Sequence, residues 1–463
     1  MGADGKSKRG QGREVKTITW AVRHPGVMAV PVGVTAASTT FGLDAVAVPG
    51  GWAAGGAVVA CGVWYRGHPD SFDRFAAPVM RAWRRRWVTY VGWRWRNAME
   101  DCDLFSVHRR TGESRIPRVL RVRSYSPTVD TLWVKLAPGH SIGTWQAKLP
   151  ELADALKAER VGIEKIRPRV IGLVVQRARP FPEVIDAPDM PGDSASVDLG
   201  DLYVGETEYG TDFRVSAIGD HLFVAGATGA GKNSIEFAML RGLAPMIRDG
   251  LVRLWIADPK QTEFAALAPI AHRYAHTVDS DDDDDYTAVD LIREFRAEME
   301  DRQKVLRKQG KRKFTVSRDT PLDLLILDEL GAITAYGDAA RLVRKDLAVI
   351  GTQGRSTGHR VHGFVQEPTK DTVPIRDLFT MRVCLRVTSQ AHVDMVLGDD
   401  ARLRGALADE IPNVPDTAGV GYVIRPRSRL PIQIRAAYVT DEEITELVDF
   451  VLSGRPNLLK VVA

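Results

Sequence analysis

A glycine-rich stretch of the chain contains residue types that can bind phosphate. The sequence GATGAGKNS follows the pattern G-x-x-x-x-G-K-[ST] except at its last position, where Asn233 replaces the hydroxyl residue and a serine comes one place later. In such loops, backbone amides and the lysine bind nucleotide phosphates, and the hydroxyl helps to hold Mg²⁺. The predicted nucleotide-binding loop consists of Gly226, Ala227, Thr228, Gly229, Ala230, Gly231, Lys232, Asn233 and Ser234.

The late serine does not simply replace the missing hydroxyl residue. We expect Lys232, Asn233 and Ser234 to begin a helix, in which each residue advances about 100° around the axis. Ser234 then points away from the metal position, whereas Asn233 points toward it. The amide oxygen of Asn233 is a neutral acceptor that can contact Mg²⁺ or one of its waters. The loop is therefore predicted to bind nucleotide, with Asn233 as an unusual metal ligand.

Two adjacent carboxylates, Asp328 and Glu329, close the apolar run LDLLILDEL. At the carboxyl end of a strand the first acid can hold Mg²⁺, and the second can orient and deprotonate an attacking water. An acidic pair at a strand end is often only solvated, but the glycine loop earlier in the chain favours the catalytic interpretation. A further apolar run, VHGFVQEP, ends in Gln366, whose amide can sense the γ-phosphate and its water.

These side chains need a scaffold that brings strand ends together. The apolar segment HLFVAG runs directly into the glycine loop, and the helical pattern SIEFAMLRGLAPMI follows it, as a phosphate-binding loop requires. Four further segments have the pattern of buried strands: LVRLWIADP, LDLLILDEL, VHGFVQEP and MRVCLRVTS. The alternation of strands and helices predicts a five-stranded parallel sheet covered by helices.

Composition limits the class of protein. The chain has 463 residues, with 44% hydrophobic and 26% charged residues, as in a folded protein of two or three domains. Its three cysteines are far apart, which argues against a disulfide framework or a zinc site and favours a reducing compartment. Residues 1–121 contain 19 Lys and Arg against 9 Asp and Glu. This basic region predicts an anionic partner, either nucleic acid or the inner face of a membrane.

An apolar region near the amino terminus has the length of two membrane-spanning helices. Between residues 24 and 65 the only formally charged residue is Asp44, and each half can cross a hydrocarbon core of about 30 Å. Residues 42–44 and 49–51 lie where a tight turn between the two helices is predicted. Basic residues flank both ends of the pair, which predicts that both termini and the rest of the chain are cytoplasmic. A buried helical hairpin in a soluble core and a secretory signal peptide are the alternatives.

The next segments connect this region to the nucleotide-binding loop. Residues 80–99 combine tryptophan with arginine, which predicts an amphipathic helix at the lipid headgroups, with a DNA-binding arm as the alternative. Residues 111–185 alternate strand-like and helix-like patterns and predict a small α+β module. A stretch rich in Pro, Asp and Ser then predicts a linker.

Motifs spread over residues 200–448 carry a family resemblance. Besides the glycine loop and LLILDELGAI, they are DPKQTEF, EMEDR, GRSTGHRVHGFVQEP, RVCLRVTSQAHVDMVLG and IRAAYVTDEEITELVDFV, in matching order and spacing. In these motifs the chain resembles the FtsK/SpoIIIE family of DNA translocases, which are membrane-anchored ATPases that pump double-stranded DNA as ring hexamers. The two-helix amino terminus, the small module and the single motor are similar to conjugative transfer proteins of actinomycete integrating elements.

The resemblance implies a fold, cofactors and partners. The fold is α/β, a RecA-like P-loop ATPase domain with a parallel sheet, and the cofactors are ATP and Mg²⁺. The implied partners are double-stranded DNA, the membrane and further copies of the chain in a homo-hexamer ring. The predicted organisation is a basic cytoplasmic amino terminus (1–23), a transmembrane helical hairpin (24–65), an Arg/Trp-rich juxtamembrane segment (66–110), the small α+β module (111–185), a linker (186–201) and the ATPase motor domain (202–463).

The resemblance also implies roles for single residues. Lys232 neutralises the β- and γ-phosphates, Asp328 holds Mg²⁺, Glu329 is the general base, and Gln366 is the sensor. In ring motors an arginine from the neighbouring subunit completes the site. Arg355, in QGRSTGH, and Arg382 match that role, and Arg355 is preferred. In FVQEP, Glu367 stands where the family usually has an arginine.

The sequence leaves the macromolecular partner open to more than one interpretation. The basic run RKQGKRK predicts a loop that grips DNA phosphates without sequence preference. Its DNA-binding candidates are Arg307, Lys308, Lys311, Arg312 and Lys313. The acidic run DSDDDDD at residues 279–285 would repel DNA and is expected on the outer face of a ring. The alternatives to a DNA pump are a protein-secretion ATPase of the same superfamily and a membrane adaptor that binds nucleotide without hydrolysing it.

Overall fold

The computed structural model describes residues 43–278, 285–335, 339–368, 375–425 and 429–454. The chain divides into two compact units, one that ends at Pro78 and one that starts at Val79. Within the described part of the first unit, helix α1 covers Leu43–Gly67, and helix α2 (Pro69–Val88) begins directly after it. Ala47–Gly67 is the one helical stretch in the described residues that is long and apolar enough to cross a membrane.

The structure corrects the hairpin prediction in one respect. Helix α1 continues through residues 49–51, where one of the two turn positions was predicted. Proline and glycine weaken a helix, but the apolar run continues on both sides of them and the helix extends through it. The first predicted span, up to residue 42, lies outside the described residues, so the two-helix hairpin stays a prediction.

The small module consists of an antiparallel sheet with helices on one of its faces. Its elements are α3 (Trp93–Asp101), β1 (Ser106–Val107), β2 (Ser114–Arg115), β3 (Arg118–Ser124), β4 (Val129–Lys135), α4 (Ile142–Gln146), α5 (Leu149–Leu156), β5 (Arg160–Arg167) and β6 (Val170–Gln176). The four-stranded sheet has the order β3-β4-β6-β5, and β1 pairs with β2 as a separate hairpin. Leu132, Ile163 and Leu173 of the sheet pack with Trp145 and Leu152 of the helices.

Residues 80–99 do not form the single headgroup helix that their Arg/Trp pattern predicts. Helix α2 ends at Val88 and α3 begins at Trp93, and Tyr90 and Trp95 are buried in the core of the small module. The indole of Trp95 donates a hydrogen bond to the carbonyl of Pro117 at 2.8 Å. These aromatic side chains cover the sheet, so this part of the predicted 66–110 segment belongs to the module.

The predicted motor domain is built on a ten-stranded sheet. Its strands are β7 (Leu202–Thr207), β8 (Asp212–Val215), β9 (Leu222–Ala225), β10 (Val252–Ala257), β11 (Arg273–Ala275), β12 (Leu322–Leu327), β13 (His359–Val365), β14 (Met381–Leu385), β15 (Val420–Ile424) and β16 (Pro431–Ala436). The order β11-β10-β12-β13-β9-β14 is parallel throughout, and β15-β16-β7-β8 extend it with antiparallel pairs.

This sheet is larger than the five-stranded parallel sheet predicted. All five predicted strands are present and adjacent to one another, in the order β10-β12-β13-β9-β14. The added parallel strand, β11, has three residues, which is too short to give an apolar pattern. The antiparallel strands come from sequence segments before and after the predicted ones, and their pairing depends on long-range contacts that no local pattern encodes.

Helices cover both faces of the motor sheet. They are α6 (Ser234–Arg248), α7 (Ala288–Lys308), α8 (Leu330–Ala335), α9 (Ala339–Gln353), α10 (Gln390–Leu397) and α11 (Asp441–Ser453). Residues of α6 and α11 form one core cluster with the sheet, and residues of α7, α9 and α10 form the other. A sheet buried on both faces explains why its parallel strands are continuous apolar runs rather than alternating ones.

The predicted linker lies against the motor domain. Ala187, Met190 and Leu199 pack on the core cluster that contains α6. The guanidinium of Arg241 donates to the carbonyl of Pro188 at 2.9 Å, which ties the linker to α6. The segment thus has no regular strand or long helix, as its composition predicts, but it is fixed to the surface of the sheet domain.

Candidate nucleotide-binding site

The glycine loop connects β9 to α6 as the sequence predicts. Gly229 and Gly231 have φ angles of +75° and +79°, which favour glycine. A Cβ at Gly231 would come within 2.8 Å of the backbone nitrogen of Gly419, so a side chain has no room there. Helix α6 begins at Ser234, with Lys232 and Asn233 in the preceding turn, one to two residues later than predicted.

A buried arginine and a neighbouring turn hold the loop in place. The guanidinium of Arg386 donates to the carbonyl of Thr228 at 2.6 Å, and the amide of Ala227 donates to the carbonyl of Arg386 at 2.8 Å. The amide of Gly419 donates to the carbonyl of Ala230 at 2.9 Å. Sequence reasoning missed Arg386, because its partners are backbone atoms of a segment far away in the chain.

The predicted catalytic side chains converge at the carboxyl edge of the sheet. Strands β12, β13 and β9 are neighbours in this order, so Glu329, Gln366 and the loop follow adjacent strand ends. The hydroxyl of Thr228 donates to Oε1 of Gln366 at 3.3 Å. The backbone amide of Gln366 donates to Oε1 of Glu329 at 3.4 Å. The structure therefore joins the loop, the predicted sensor and the predicted base in one continuous set of contacts.

Lys232 extends from the loop into this acidic edge and is buried. Burial lowers the pKa of its ammonium, while the charges of Glu329 and Asp328 act in the opposite direction. Both acids are therefore close enough to interact with the lysine that is predicted to bind phosphate. The arrangement places a cation and two carboxylates around the position that a nucleotide phosphate would take.

Asp328 is a buried acid at this edge of the sheet. Its pKa is raised to about 6, first by burial and then by the charge of Asp258, at the end of the neighbouring strand β10. Asp258 Oδ2 accepts from the amide of Phe264 at 3.0 Å, while its Oδ1 is buried without a hydrogen-bond partner in the described part of the chain. Two crowded, buried carboxylates favour the approach of a cation.

The residues present fit the Mg²⁺ that the resemblance implies. Asn233 Oδ1 and Asp258 Oδ1 are buried acceptors that make no hydrogen bond to the described residues, and Asp328 lies in the same acidic cluster. Mg²⁺ bound here would take few ligands from the protein, because the described residues contain no group of three or more His, Cys, Asp or Glu side chains that could bind a metal ion. In nucleotide sites Mg²⁺ commonly keeps several waters and takes few protein ligands.

Two residues of DPKQTEF contact the predicted site residues, and sequence reasoning gave them no role. Lys260 Nζ forms an ion pair with Oε2 of Glu329 at 2.8 Å. Glu263 Oε2 accepts from the side-chain amide of Asn233 at 2.6 Å. Both residues follow Asp258 at the end of β10, which neighbours β12. Their position near the end of a strand beside Asp328 and Glu329 could have indicated a place in the site.

The structure does not bring the arginine candidates to the site of their own chain. Arg355 is exposed in a short turn, Gly354–Ser356, that precedes β13, and Arg382 is at the start of β14. Because these strands are parallel to β9, both arginines lie at the amino edge of the sheet, opposite the glycine loop. Their predicted role requires a second subunit and stays a prediction.

The basic run lies at the same amino edge as Arg355. Helix α7 ends at Lys308, and the amide of Phe314, just after the run, donates to the carbonyl of Ser356 at 2.9 Å. The candidates, all exposed, are Arg307, Lys308, Lys311, Arg312 and Lys313. Most of the acidic run, residues 279–284, lies outside the described residues.

Comparison with known proteins identifies the motor domain. Residues 189–402 match the FtsK/SpoIIIE family. The match covers somewhat less than half of the chain, and within it the chain is similar to the FtsK/SpoIIIE family. The resemblance carried by the glycine loop, DPKQTEF and LLILDELGAI is thus confirmed for the motor. The matched range begins in the linker that packs on α6 and ends shortly after α10.

Individual relatives have the same family assignment. The chain is 24% identical over 351 residues to the DNA translocase FtsK of Helicobacter pylori strain J99, and 25% identical over 348 residues to that of Mycobacterium leprae. These matches cover 71% and 70% of this chain. They cover 39% of each relative, so the chain spans well under half of these FtsK/SpoIIIE proteins.

Two solved structures are similar to this one, each with a TM-score below 0.5. The pCW3 conjugation coupling protein TcpA, in its monomer form with ATPγS, is 19% identical, with a TM-score of 0.48 over 78% of this chain and 99% of that protein. The cytoplasmic domain of the type VII secretion ATPase EccC from Thermomonospora curvata is 19% identical, with a TM-score of 0.44 over 59% of this chain and 33% of that protein.

Proposed function

We propose that this chain is a membrane-anchored ATPase that moves double-stranded DNA. The observation that carries the proposal is the contact set at the carboxyl edge of the sheet. There Thr228 of the glycine loop contacts Gln366, and the backbone amide of Gln366 contacts Glu329. The match of residues 189–402 to the FtsK/SpoIIIE family supports nucleotide hydrolysis by this set.

Each residue of the set has a chemical task in ATP hydrolysis. The ammonium of Lys232 binds the β- and γ-phosphates, and Asp328 with Asn233 would hold Mg²⁺, which supplies positive charge against the phosphates. The carboxylate of Glu329 accepts the proton of the water that attacks the γ-phosphorus. The amide of Gln366 orients that water, and ADP and inorganic phosphate leave.

The position of Arg355 supports action between subunits. Arg355 is exposed at the amino edge of the sheet, where it cannot reach the phosphates of a nucleotide bound by the glycine loop of the same chain. In a homo-hexamer ring, one subunit would present Arg355 to the site of the next and stabilise charge in the transition state. The neighbouring basic residues, Arg307–Lys313, would then line a DNA path at the same edge.

DNA and membrane are proposed partners on separate grounds. The FtsK relatives are named DNA translocases, and residues 189–402 match their family. Helix α1 has the length and apolarity of a membrane span. We further propose that the DNA is transferred between cells by conjugation. This part of the proposal rests on the arrangement of an anchor, a small module and a motor, with both termini and the motor in the cytoplasm.

One experiment separates this proposal from its two rivals. ATP turnover by the full chain is measured with and without linear duplex DNA, with Lys232→Ala as the blank. Turnover that duplex DNA stimulates supports the pump. Turnover that is indifferent to DNA supports a protein-secretion ATPase, and nucleotide binding without turnover supports a membrane adaptor. Absence of nucleotide binding would contradict all three.

A further inference from the structure

The residue that departs from the loop pattern, Asn233, is held by a carboxylate. Its side-chain nitrogen Nδ2 donates to Oε2 of Glu263 at 2.6 Å. Asn233 is 7% exposed, and its oxygen Oδ1 is buried without a hydrogen-bond partner in the described part of the chain. A buried acceptor without a partner costs free energy unless something binds it. The oxygen is thus available to a ligand that favours acceptors.

The chemistry of Glu263 determines which end of the amide remains available. An amide group has an acceptor end and a donor end of almost the same size, so an asparagine can present either one. An ionised carboxylate only accepts hydrogen bonds. Contact with Glu263 therefore requires the NH₂ end of Asn233, and the oxygen end is left facing away from Glu263.

The orientation matters because the loop position normally holds a metal ligand. A serine or threonine hydroxyl presents its single oxygen in any rotation of the O–H bond. An asparagine presents an oxygen to a cation in one orientation and an NH₂ group, which repels the cation, in the other. Replacing the hydroxyl by an amide therefore requires a second residue that selects the orientation.

We propose that Glu263 is a positioning residue that holds the Asn233 amide with its oxygen toward the Mg²⁺ of a bound nucleotide. The inference rests on the nucleotide site proposed above and adds a partner to it. Glu263 also places negative charge beside Asp328 and Lys232. Its orienting effect on Asn233 must therefore be separated from its general electrostatic effect.

A double-mutant cycle makes that separation. The variants are Glu263→Gln, Asn233→Ser and the double variant, each in the full chain. A glutamine at position 263 can either accept or donate, so it supports both orientations of Asn233. In the Asn233→Ser background there is no amide to orient, while the charge lost at Glu263 is the same. Glu442→Gln, on the exposed first turn of α11, removes an equal charge away from the site.

The readout is binding of ATPγS by calorimetry, in Mg²⁺ and in EDTA. We expect Glu263→Gln to reduce the gain in affinity that Mg²⁺ gives by about tenfold, the scale for a residue that supports a metal ligand. Binding in EDTA should change far less. In the Asn233→Ser background the same substitution should change the Mg²⁺ gain less than about twofold, because its orienting effect is absent.

Other outcomes overturn the proposal in distinguishable ways. An equal loss in both backgrounds would show that Glu263 acts through charge alone. An unchanged Mg²⁺ gain in Glu263→Gln would show that the amide needs no partner. Failure of the wild-type chain to bind ATPγS in either buffer would instead contradict the nucleotide site itself. Melting temperatures of all variants, compared with Glu442→Gln, show whether a loss of binding is a loss of fold.

Discussion

Glu329 has a φ angle of +51°, in the left-handed region that few residues other than glycine adopt. Strained backbone of this kind is often found at functional sites. We expect Glu329→Gln to bind ATP but to hydrolyse it at least about 10²-fold more slowly, because an amide cannot accept the proton of water. Steady-state turnover and nucleotide binding, measured on the same preparation, check this. Near-normal turnover would place the general base elsewhere.

The consecutive residues Lys232, Asn233 and Ser234 should differ in their importance. Lys232→Ala should abolish turnover, because its ammonium is the cation proposed to bind the phosphates. Asn233→Ser should preserve or raise turnover. Ser234→Ala should change it less than about tenfold, because Ser234 begins α6 and should point away from the metal. Loss of turnover in Ser234→Ala together with normal turnover in Asn233→Ala would contradict the assignment of the metal ligand.

Asp328 should make the nucleotide-free protein less stable at neutral pH. Its pKa in the folded chain is raised to about 6, mainly by burial, whereas an unfolded chain keeps the ordinary value of 3.8. The cost of ionising it is therefore present above about pH 6 and absent below about pH 4. We expect Asp328→Asn to stabilise the nucleotide-free protein by on the order of 2 kcal/mol at pH 8. Denaturant unfolding at pH 8 and pH 4 checks this, and a gain that persists unchanged at pH 4 would have another cause.

At the scale of elements, one buried carboxylate ties four elements of the motor together. Asp323, on β12, accepts from Arg302 of α7 at 2.7 Å and from Arg253 of β10 at 2.6 Å, and it lies 3.6 Å from the imidazole of His359 on β13. Burial alone would raise the pKa of Asp323, but its hydrogen bond with Arg253 and the nearby positive charges keep it lowered.

Removing this carboxylate should therefore weaken the whole amino edge of the sheet. We expect Asp323→Ala to cost about 3–5 kcal/mol, because it leaves buried Arg302 without its carboxylate partner. Asp301→Ala, an exposed acid on α7 that pairs with Lys304, provides the control and should cost less than about 1 kcal/mol. Urea unfolding of both variants tests the difference. Similar losses would mean that Asp323 contributes no more than a surface ion pair.

The elements predicted well from sequence are those whose local pattern and burial agree. The segment LDLLILDEL is β12 because an apolar run between turn residues suits a strand buried on both faces. Residues 80–99 were predicted poorly, because an Arg/Trp pattern is compatible with a lipid surface and with a core. The pattern gives no information about Asp130, which lies later in the chain. Its carboxylate accepts hydrogen bonds from Arg85 and Tyr90 and thereby holds this segment against the module.

The site shows the same division between local and long-range information. The glycine loop, Asp328, Glu329 and Gln366 follow from motifs because each lies at the end of an apolar strand. Arg386 and Glu263 were missed because they act on the loop through contacts across the sheet edge. Such pairings depend on strand order, and the order β10-β12-β13-β9-β14 is not a property of any single segment.

At the scale of the whole molecule, membrane attachment and folding should be separable at Val79. The second unit begins there, and the core of its small module includes Tyr90, Trp95 and Met99. A chain that starts at Val79 should stay in solution without detergent, because it lacks α1. The full chain, which contains α1, should sediment with membranes.

A chain that starts at Ser106 should aggregate, since it lacks the three core side chains and exposes the sheet they cover. Sedimentation of all three chains without detergent is the measurement. A full chain that stays in the soluble fraction would contradict the membrane anchor, and a soluble, folded chain from Ser106 would show that this core is dispensable.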